Sequence, residues 1–472
     1  MEHGTLLLLL AILLGFYVSW NIGANDVANA MGTSVGSGAL TLKRAVILAA
    51  ILEFCGAFFF GSHVSETIES GVIDPGSFAL EPLTYVLGML ASLLAVGVWL
   101  QIASFFGWPV STTHSIIGAI MGFGLFVVGA HAIHWGTLLA IVLSWIISPL
   151  IGGVIAFLMF IAVRSNILYA KEPLRAAKRM TPFLVFLVFA ILSLVLLYDG
   201  LEAPSLSFSF WEALGIASLI GLLAGAIAAL FIRCLPTPKL FKEEGQPEAV
   251  SQGLERALRH LHRAMLAAKG PVETEVTSLV HRADTLFAEL KRPKHYETLE
   301  SELGLVEKLF AYLQILSACF MAFAHGANDV ANAMGPLAGI MAALRTNSIA
   351  ASAPIPLWVL ALGGVGIIVG LATWGWRVIA TVGKKITELT PTRGFAAEFS
   401  AATTILVASR LGLPLSTTHT LVGAVLGVGL ARGISAINLT IVRDIVISWI
   451  ITVPAGAILA ILFYHLLRLI FA

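Results

Sequence analysis

The ten-residue string GANDVANAMG occurs twice in this chain, at residues 23–32 and at residues 326–335, and each copy interrupts an apolar stretch. A second string, P-x-S-T-T-H, follows each copy, at residues 109–114 and at residues 414–419. Matching residues of the two halves lie 303 to 305 positions apart, and such near-constant spacing indicates an internal duplication. The chain is therefore predicted to fold as two related halves with polar breaks at matching places.

The composition indicates that both halves lie in a membrane. Of the 472 residues, 58% are hydrophobic and only 12% are charged, and the mean hydropathy is +0.93. A soluble protein has about a quarter of its residues charged, whereas a membrane helix needs about 20 apolar residues. The net charge of +1, without a concentrated basic patch, gives no indication of a nucleic-acid partner. We predict an all-α polytopic membrane protein whose surroundings are the lipid bilayer.

Two further features narrow the class. The three cysteines form no metal-like cluster, and a disulfide framework is not expected. The apolar start at residues 6–14 follows Glu2 and His3 rather than lysine or arginine, unlike a secretory signal peptide. It is interpreted as the first half of a broken transmembrane helix.

Twelve apolar segments are candidate membrane segments. They lie at residues 5–40, 45–63, 83–107, 114–130, 136–163, 182–198, 211–232, 306–342, 356–382, 394–413, 419–431 and 443–468. The segments on either side of each S-T-T-H string are either plain crossings or the two arms of a re-entrant hairpin.

The loop charges favour the hairpins. With the N-terminus outside, the acidic loop 65–82 lies outside and the basic loop 164–179 lies inside, as the positive-inside rule requires. This agreement holds only if residues 83–130 and 394–431 are re-entrant hairpins that enter from opposite faces. The two halves then have opposite orientations, so we predict an inverted repeat of about 12 membrane helices, hairpin halves included, with both termini outside.

Four regions follow from this interpretation. They are a first membrane repeat at residues 1–163, a connecting transmembrane helix pair at 164–232, an insert at 233–305, and a second, inverted membrane repeat at 306–472. The insert is polar and has helical spacing of apolar residues, at Leu254, Leu258, Leu261 and Met265. We predict a small helical cytosolic insert.

The repeated G-A-N-D string favours a break within a membrane helix. Glycine is a weak helix former, and asparagine and aspartate side chains compete for backbone hydrogen bonds. An unwound segment would offer carbonyl, carboxylate and amide oxygens to a small hard cation. The candidate residues are Asn25, Asp26, Asn328 and Asp329, with Asn29 and Asn332 one short turn further along. The alternative is a polar network that only pins helices together.

The S-T-T-H strings place hydroxyl groups where a returning hairpin helix begins. A helix N-terminus presents free N–H groups and a positive dipole, which favour an anion. Serine and threonine are also ordinary N-caps, so one copy alone is weak support. Two tips that approach one point from opposite faces would suit a tetrahedral oxyanion. The candidate ligands are Ser111, Thr112, Thr113, Ser416, Thr417 and Thr418.

The charges of the site constrain its ligand. Asp26 and Asp329 would repel a bound oxyanion by several kcal/mol in a low-dielectric site. Either a cation lies between them, or the anion carries a proton and donates it as a hydrogen bond. Both solutions predict cation-coupled or proton-coupled entry, and both favour phosphate over sulfate. Glu53 and Glu398 are further acids within apolar segments; each is either a second cation or proton site or a structural hydrogen-bonding group.

The paired GANDVANA and P-x-S-T-T-H motifs resemble those of the inorganic phosphate transporter (PiT) family, and the likeness covers both membrane halves. The resemblance implies phosphate uptake coupled to sodium or protons, 12 helices with hairpin helices included, and a homodimer. It also implies that the serine and threonine hydroxyls serve phosphate, that the Asn-Asp pairs serve cation and phosphate, and that Glu53 and Glu398 serve transport. The family also contains sulfate carriers, so the resemblance alone does not determine the anion.

We therefore expect a secondary active transporter of the cytoplasmic membrane, without enzymatic activity or a cofactor, that imports phosphate with Na⁺ or H⁺ by alternating access. Phosphate is expected at Asp26, Asn29, Ser111, Thr112, Thr113, Asp329, Asn332, Ser416, Thr417 and Thr418. The cation is expected at Asn25, Asp26, Glu53, Asn328, Asp329 and Glu398, with Na⁺ favouring the two Asn-Asp pairs. The alternatives are a carrier of sulfate or of metal-phosphate with protons, an anion channel, and a membrane-embedded hydrolase.

Overall fold

The computed structural model describes residues 3–62, 64–65, 68, 71–78, 81–198, 208–234, 248–291, 294–346, 355–376, 378–379 and 388–471. Over these residues the chain is helical, and its one β-bridge pairs Ile73 with Ile133. Eight helices are long and apolar enough to cross a membrane. The predicted class, an all-α polytopic membrane protein, is confirmed.

Eight α-helices with defined bounds lie in the first half and the connecting pair. They are α1 (Gly4–Asn25), α2 (Val27–Gly36), α3 (Leu42–Phe60), α4 (Pro82–Phe106), α5 (Thr112–Val127), α6 (Trp135–Val163), α7 (Pro173–Leu197) and α8 (Phe210–Cys234). Each lies at a predicted apolar segment, with α1 and α2 together covering the first. Both α6 and α7 contain an internal proline, Pro149 and Pro182 respectively.

The second half repeats this order. Two helices of the insert, α9 (Glu248–Ala267) and α10 (Pro271–Lys291), precede α11 (Lys294–Asp329), α12 (Ala331–Thr346), α13 (Leu357–Trp374), α14 (Pro391–Arg410), α15 (Thr417–Arg432) and α16 (Leu439–Phe471). Helix α11 begins at Lys294 rather than near the predicted residue 306. Its first turns are rich in glutamate, lysine and leucine, which are good helix formers, whereas a hydropathy pattern marks only the apolar part.

The predicted breaks are present, but each is much smaller than an unwound segment. Asp26 separates α1 from α2, yet it keeps a nearly helical φ of −90° and ψ of −20°, and its N–H donates to the Ile22 carbonyl at 2.8 Å. The expectation of an exposed backbone carbonyl cage is therefore wrong here. Glycine has a different use in the string: a Cβ on Gly23 would overlap the Ile367 carbonyl of α13, so the residue permits close helix packing.

Each S-T-T-H string lies where the second helix of a pair begins, as predicted: its serine is the N-cap and its other three residues form the first turn. Helix α4 ends at Phe106 and is capped by Gly107, which adopts a left-handed φ of 69°, and α5 begins after Ser111. In the second half, Gly412 has a φ of 66° after α14, and α15 begins after Ser416. Left-handed glycine ends a helix without a Cβ penalty. We call the segments at residues 107–114 and 412–419 tip 1 and tip 2; their entry into the membrane from opposite faces stays a prediction.

The two halves pack reciprocally. Helices α4 and α5 pack against α16, the last helix of the second half, and α14 and α15 pack against α6, the last helix of the first half. Small residues allow this contact, because a Cβ on Gly122 would lie 2.5 Å from the Ala457 Cβ and one on Gly423 would overlap the Pro149 carbonyl. The tips are therefore held inside the protein by elements of the opposite half.

The chain divides into two compact units, one of residues Met1–Leu230 and Val306–Ala472 and one of residues Phe231–Leu305. Within the smaller unit, α9 and α10 pack against each other, and Leu258 and Val280 are each only 6% exposed. Gly270, with a left-handed φ of 66°, directly precedes the second helix. This unit occupies the residues of the predicted helical insert, whose cytosolic location stays a prediction.

Candidate functional site

The two helix breaks and the two tips meet around Asp26 and Asp329. Asp26 accepts a hydrogen bond from the Thr112 hydroxyl of tip 1 through Oδ2, and one from the Thr418 hydroxyl of tip 2 at 3.2 Å through Oδ1. Asp329 accepts from the Thr417 hydroxyl at 2.9 Å. The Asp26 carboxylate thus contacts both tips. The five side chains are each at most 2% exposed.

The tips also bond directly to each other. The Thr113 hydroxyl donates to the Leu415 carbonyl at 3.0 Å, and the Thr418 hydroxyl lies 3.2 Å from the Val110 carbonyl. The Asn332 amide donates to the Thr113 hydroxyl at 3.3 Å, while its buried Oδ1 has no partner among the described residues. The hydroxyl groups predicted to serve one ligand therefore lie in one cluster.

Asn25 ties the first break to tip 1. Its amide nitrogen donates to the Ser104 hydroxyl and to the Trp108 carbonyl, each at 3.0 Å, and its oxygen accepts from the Val110 N–H at 3.3 Å. The amide is thus bonded to protein groups, the arrangement expected of a helix-pinning network. Its predicted role in cation binding stays a prediction.

Asn328 has the same place in the second half. With its amide oriented so that the oxygen accepts from the Ser409 hydroxyl (2.9 Å), its nitrogen donates to Asp329 Oδ1 at 3.0 Å and to the Leu415 carbonyl at 3.3 Å. It therefore joins tip 2 to the carboxylate of the break. The side chain of Asn29, predicted to bind phosphate, lies outside the described residues.

Ser111 and Ser416 act as the predicted N-caps. Each hydroxyl accepts from the backbone N–H of the histidine three residues later, His114 or His419, at 3.2 Å. Such a cap satisfies one of the free N–H groups at a helix start. The caps direct the first turns of α5 and α15, and with them the threonine hydroxyls, towards the two aspartates.

His325 is a buried residue of the site that the sequence analysis did not identify. Its Nδ1 lies 2.7 Å from Glu53 Oε2, and its Nε2 lies 2.9 Å from Asp329 Oδ2. Ligand atoms of Asp26, His325 and Asp329 lie within 4.8 Å of one another. The corresponding residue of the first half is Ile22, so a search for features present in both repeats could not find this histidine; its signal was a histidine directly before the repeated string.

Glu398 lies in a hydroxyl-lined position between α2, α11 and α14. Its Oε1 accepts from Thr33 and, at 2.6 Å, from Ser34, and its Oε2 accepts from Ser317 at 2.7 Å. All four side chains are fully buried. Oxygen atoms of this kind are the ligands that small hard cations prefer, and they also suffice to hold a buried carboxylate by hydrogen bonds alone.

The negative charges of the site around Asp26 and Asp329, which we call the main site, require compensation. At separations of up to 4.8 Å, two carboxylate charges repel by at least about 3.5 kcal/mol when the effective dielectric constant is about 20. Glu53 adds a third acid, and its Oε1 is buried without a hydrogen-bond partner among the described residues. His325, between Glu53 and Asp329, lies where a positive charge would be stabilised. The remaining negative charge suits a cation or a proton.

Comparison with known proteins gives a consistent result. A model of the Phosphate transporter family matches residues 22–460. A Chlamydia trachomatis protein named as a phosphate permease is 48% identical over 466 residues, 99% of this chain and 99% of that protein. The Arabidopsis thaliana protein "Inorganic phosphate transporter 2-1, chloroplastic" is 46% identical over 454 residues, 96% of this chain and 70% of that protein. A solved structure, "The sodium-dependent phosphate transporter", is 38% identical, with a TM-score of 0.78, covering 98% of this chain and 99% of the other.

Proposed function

Because this chain belongs to the phosphate transporter family, a family of transporters rather than enzymes, we propose that it imports inorganic phosphate coupled to Na⁺ or H⁺. The observation that carries the proposal is the position of Asp26, which accepts from a threonine of each tip. A ligand at this point would contact hydroxyl groups of both repeats at once. The name of the solved relative, a sodium-dependent phosphate transporter, supports both the anion and the coupling.

Phosphate binds, in this proposal, between the first turns of α5 and α15. Both turns present a positive helix end, and together they supply the hydroxyls of Thr112, Thr113, Thr417 and Thr418. A tetrahedral anion accepts hydrogen bonds in several directions, which matches donors arriving from two helices. The caps Ser111 and Ser416 hold these turns in place.

Phosphate binding is coupled to a cation because each threonine hydroxyl has a single proton and cannot donate to a carboxylate and to phosphate at once. A threonine hydroxyl has one proton to donate, and Thr417 directs it to Asp329 at 2.9 Å. A cation or proton on the carboxylate replaces this hydrogen bond and releases the hydroxyl for a phosphate oxygen. Cation and phosphate therefore assist each other's binding, and a reciprocal coupling of this kind is a thermodynamic requirement.

The cation sites are proposed at the buried acids. For the main site around Asp26 and Asp329, we add as candidate ligands Glu53 Oε1 and Asn332 Oδ1, two buried oxygens that have no hydrogen-bond partner among the described residues. Glu398, among three hydroxyls, is proposed as a second site. Asn25 and Asn328 support the first site by holding the breaks against the tips.

Transport then requires that the site opens alternately to each side of the membrane. Its side chains are each at most 2% exposed, as an occluded conformation requires. Each hairpin packs on the last helix of the opposite half, so a relative movement of the halves would carry the tips apart. We further propose an inverted repeat, both termini outside the cytoplasmic membrane, and a homodimer.

Radiolabelled phosphate uptake into proteoliposomes tests this proposal, with a sodium gradient and a proton gradient imposed separately. Uptake above equilibrium under one of the gradients, with little inhibition by equimolar sulfate, is expected. The matched variant Asp26→Asn keeps the size of the side chain and removes its charge, so it should insert normally and lose coupled uptake. Phosphate movement that merely follows its own gradient, or full uptake by Asp26→Asn, would contradict the proposal.

A further inference from the structure

Two buried histidine rings join the tips but have no assigned role. His114 and His419 lie in the first turns of α5 and α15, and each is 4% exposed. Their ring centroids are 4.2 Å apart, with an interplanar angle of 77°. Each ring also contacts a tryptophan of its own half: His114 lies 3.7 Å from Trp145, and His419 lies 3.5 Å from Trp449, by ring centroids. The tips therefore share an aromatic cluster beside the polar site.

One of these rings also contacts the proline break of α6. Pro149 has no N–H group, so the carbonyl of Trp145, four residues earlier, lacks its helical donor. His419 Nδ1 lies 3.5 Å from this carbonyl oxygen. Because a carbonyl only accepts, Nδ1 must carry the proton of this hydrogen bond. His419, in the second half, thus donates to the Trp145 carbonyl that Pro149 leaves without a helical donor in the first half.

The surrounding packing transmits this contact. Helices α6 and α15 approach each other backbone to backbone: a Cβ on Gly153 would lie 2.9 Å from the Gly423 carbonyl, and one on Gly152 would lie 3.1 Å from the Thr420 carbonyl. Close-packed interfaces have discrete arrangements rather than continuous slack. A displacement of α6 at Pro149 therefore changes the position of the first turn of α15.

The other histidine faces the equivalent carbonyl, that of Trp449, but the sequence shows that no proline frees this carbonyl. Pro454 follows Trp449 by five positions, whereas Pro149 follows Trp145 by four. The carbonyl freed by Pro454 is therefore that of Ile450, about 100° around the helix from that of Trp449. Both ring nitrogens of His114 are buried without a hydrogen-bond partner in the described part of the chain.

The geometry points to His419 as a positioning residue for phosphate binding. Its hydrogen bond to the Trp145 carbonyl holds the first turn of α15, so that the hydroxyls of Thr417 and Thr418 face Asp329 and Asp26. His419 acts through these threonines and does not itself contact the anion. The inference rests on the proposed function, because it assigns the residue a role in that same site.

Three substitutions distinguish the contribution of the aromatic ring of His419 from that of its hydrogen-bonding nitrogen. His419→Phe keeps an aromatic ring on Trp449 and removes the donor, whereas His419→Asn loses the ring and places an amide nitrogen near Nδ1. His114→Phe is the matched control, because the carbonyl that its ring faces, that of Trp449, is not freed by a proline. Phosphate KM and maximal rate are measured in proteoliposomes, together with the amount of inserted protein.

His419→Phe should raise the KM about tenfold, less than the roughly 100-fold loss that a misplacement of about 1 Å can cause. His419→Asn should return the KM to within about threefold of wild type, and His114→Phe should change it less than about twofold. The same KM increase in both Phe variants would overturn the inference, as would an unchanged KM in His419→Phe.

If His419→Phe fails to fold, a comparison of His419→Gln with His419→Asn tests the inference instead. His419→Gln places its amide nitrogen near Nε2 rather than Nδ1, so it should show the raised KM that His419→Asn avoids. Equal KM values in the Asn and Gln variants would overturn the inference. A wild-type protein that carries no phosphate would instead refute the proposed function, so the two failures are distinguishable.

Discussion

Replacement of one threonine in each tip tests whether both tips hold one anion. Thr112→Val and Thr417→Val preserve the shape of a buried side chain and remove a single hydroxyl. A hydrogen bond from a neutral donor to a charged acceptor contributes about 1.5–3 kcal/mol. Each substitution should therefore weaken phosphate binding by roughly 10- to 150-fold, and the double variant by about the product of the two.

The concentration of the coupling cation affects how much phosphate affinity the Thr417→Val variant loses. Without a cation, Thr417 donates to Asp329 at 2.9 Å, so the free protein also loses a hydrogen bond on substitution and the change in affinity is partly cancelled. At a saturating cation concentration the Asp329 carboxylate holds a cation both with and without phosphate, so the full loss of phosphate affinity is expected. The effect of Thr417→Val on affinity should therefore grow as the cation concentration is raised.

The assay is equilibrium binding of radiolabelled phosphate to purified protein across a cation titration. Thr420→Val is the matched control: Thr420 is fully buried on the same helix, and its hydroxyl donates to the Ser416 carbonyl at 2.9 Å within that helix. Its affinity for phosphate should stay near that of wild type. An unchanged affinity in either tip variant, or an equal loss in Thr420→Val, would refute the reasoning.

Two more predictions concern the cation and the packing. Glu398→Gln should keep the hydroxyl contacts of that position but raise the cation concentration for half-maximal uptake by about tenfold or more, because the negative charge is lost. Its control is Ser400→Ala, at a buried neighbour whose hydroxyl donates to the Ala396 carbonyl. Equal half-saturation in the two variants would contradict a cation role. Gly423→Ala should destabilise the protein by about 1–3 kcal/mol, since its Cβ would overlap the Pro149 carbonyl, and an unchanged melting temperature would contradict the close packing of α6 and α15.

The class, the helices and the grouping of the site were all predictable from the sequence. Apolar segments of sufficient length indicate membrane helices, and a doubled motif marks equivalent places in the two halves. The convergence of Asp26 with Thr112 and Thr418 could be inferred only because both copies were read together. A single copy would have been equally compatible with an ordinary cap and a polar core network.

The nature of the breaks was not predictable in the same way. Glycine beside asparagine and aspartate favours unwinding by local propensity, yet α1 continues to Asn25 and α2 begins at Val27. The reason is tertiary: Gly23 and Gly326 lie where a neighbouring carbonyl would overlap any Cβ. A pattern of residue types does not distinguish a glycine that bends a helix from one that lets another helix approach.

The unrepeated parts of the site were also missed. His325 corresponds to Ile22 in the first half, and the hydroxyls around Glu398 come from Thr33, Ser34 and Ser317 on two other helices. The contacts around Glu398 join residues 81 to 365 positions apart, and no spacing rule in one chain indicates them. A repeat built from unequal halves carries part of its chemistry in the differences between them.

The number of phosphate ions bound per chain tests the central claim most directly. Equilibrium binding of radiolabelled phosphate to purified protein at saturating cation should give one site per chain, and Thr112→Val in the first half or Thr417→Val in the second should weaken that same site without changing the number bound. Two sites per chain, each weakened by the variant of one half alone, would contradict a single site shared by both tips.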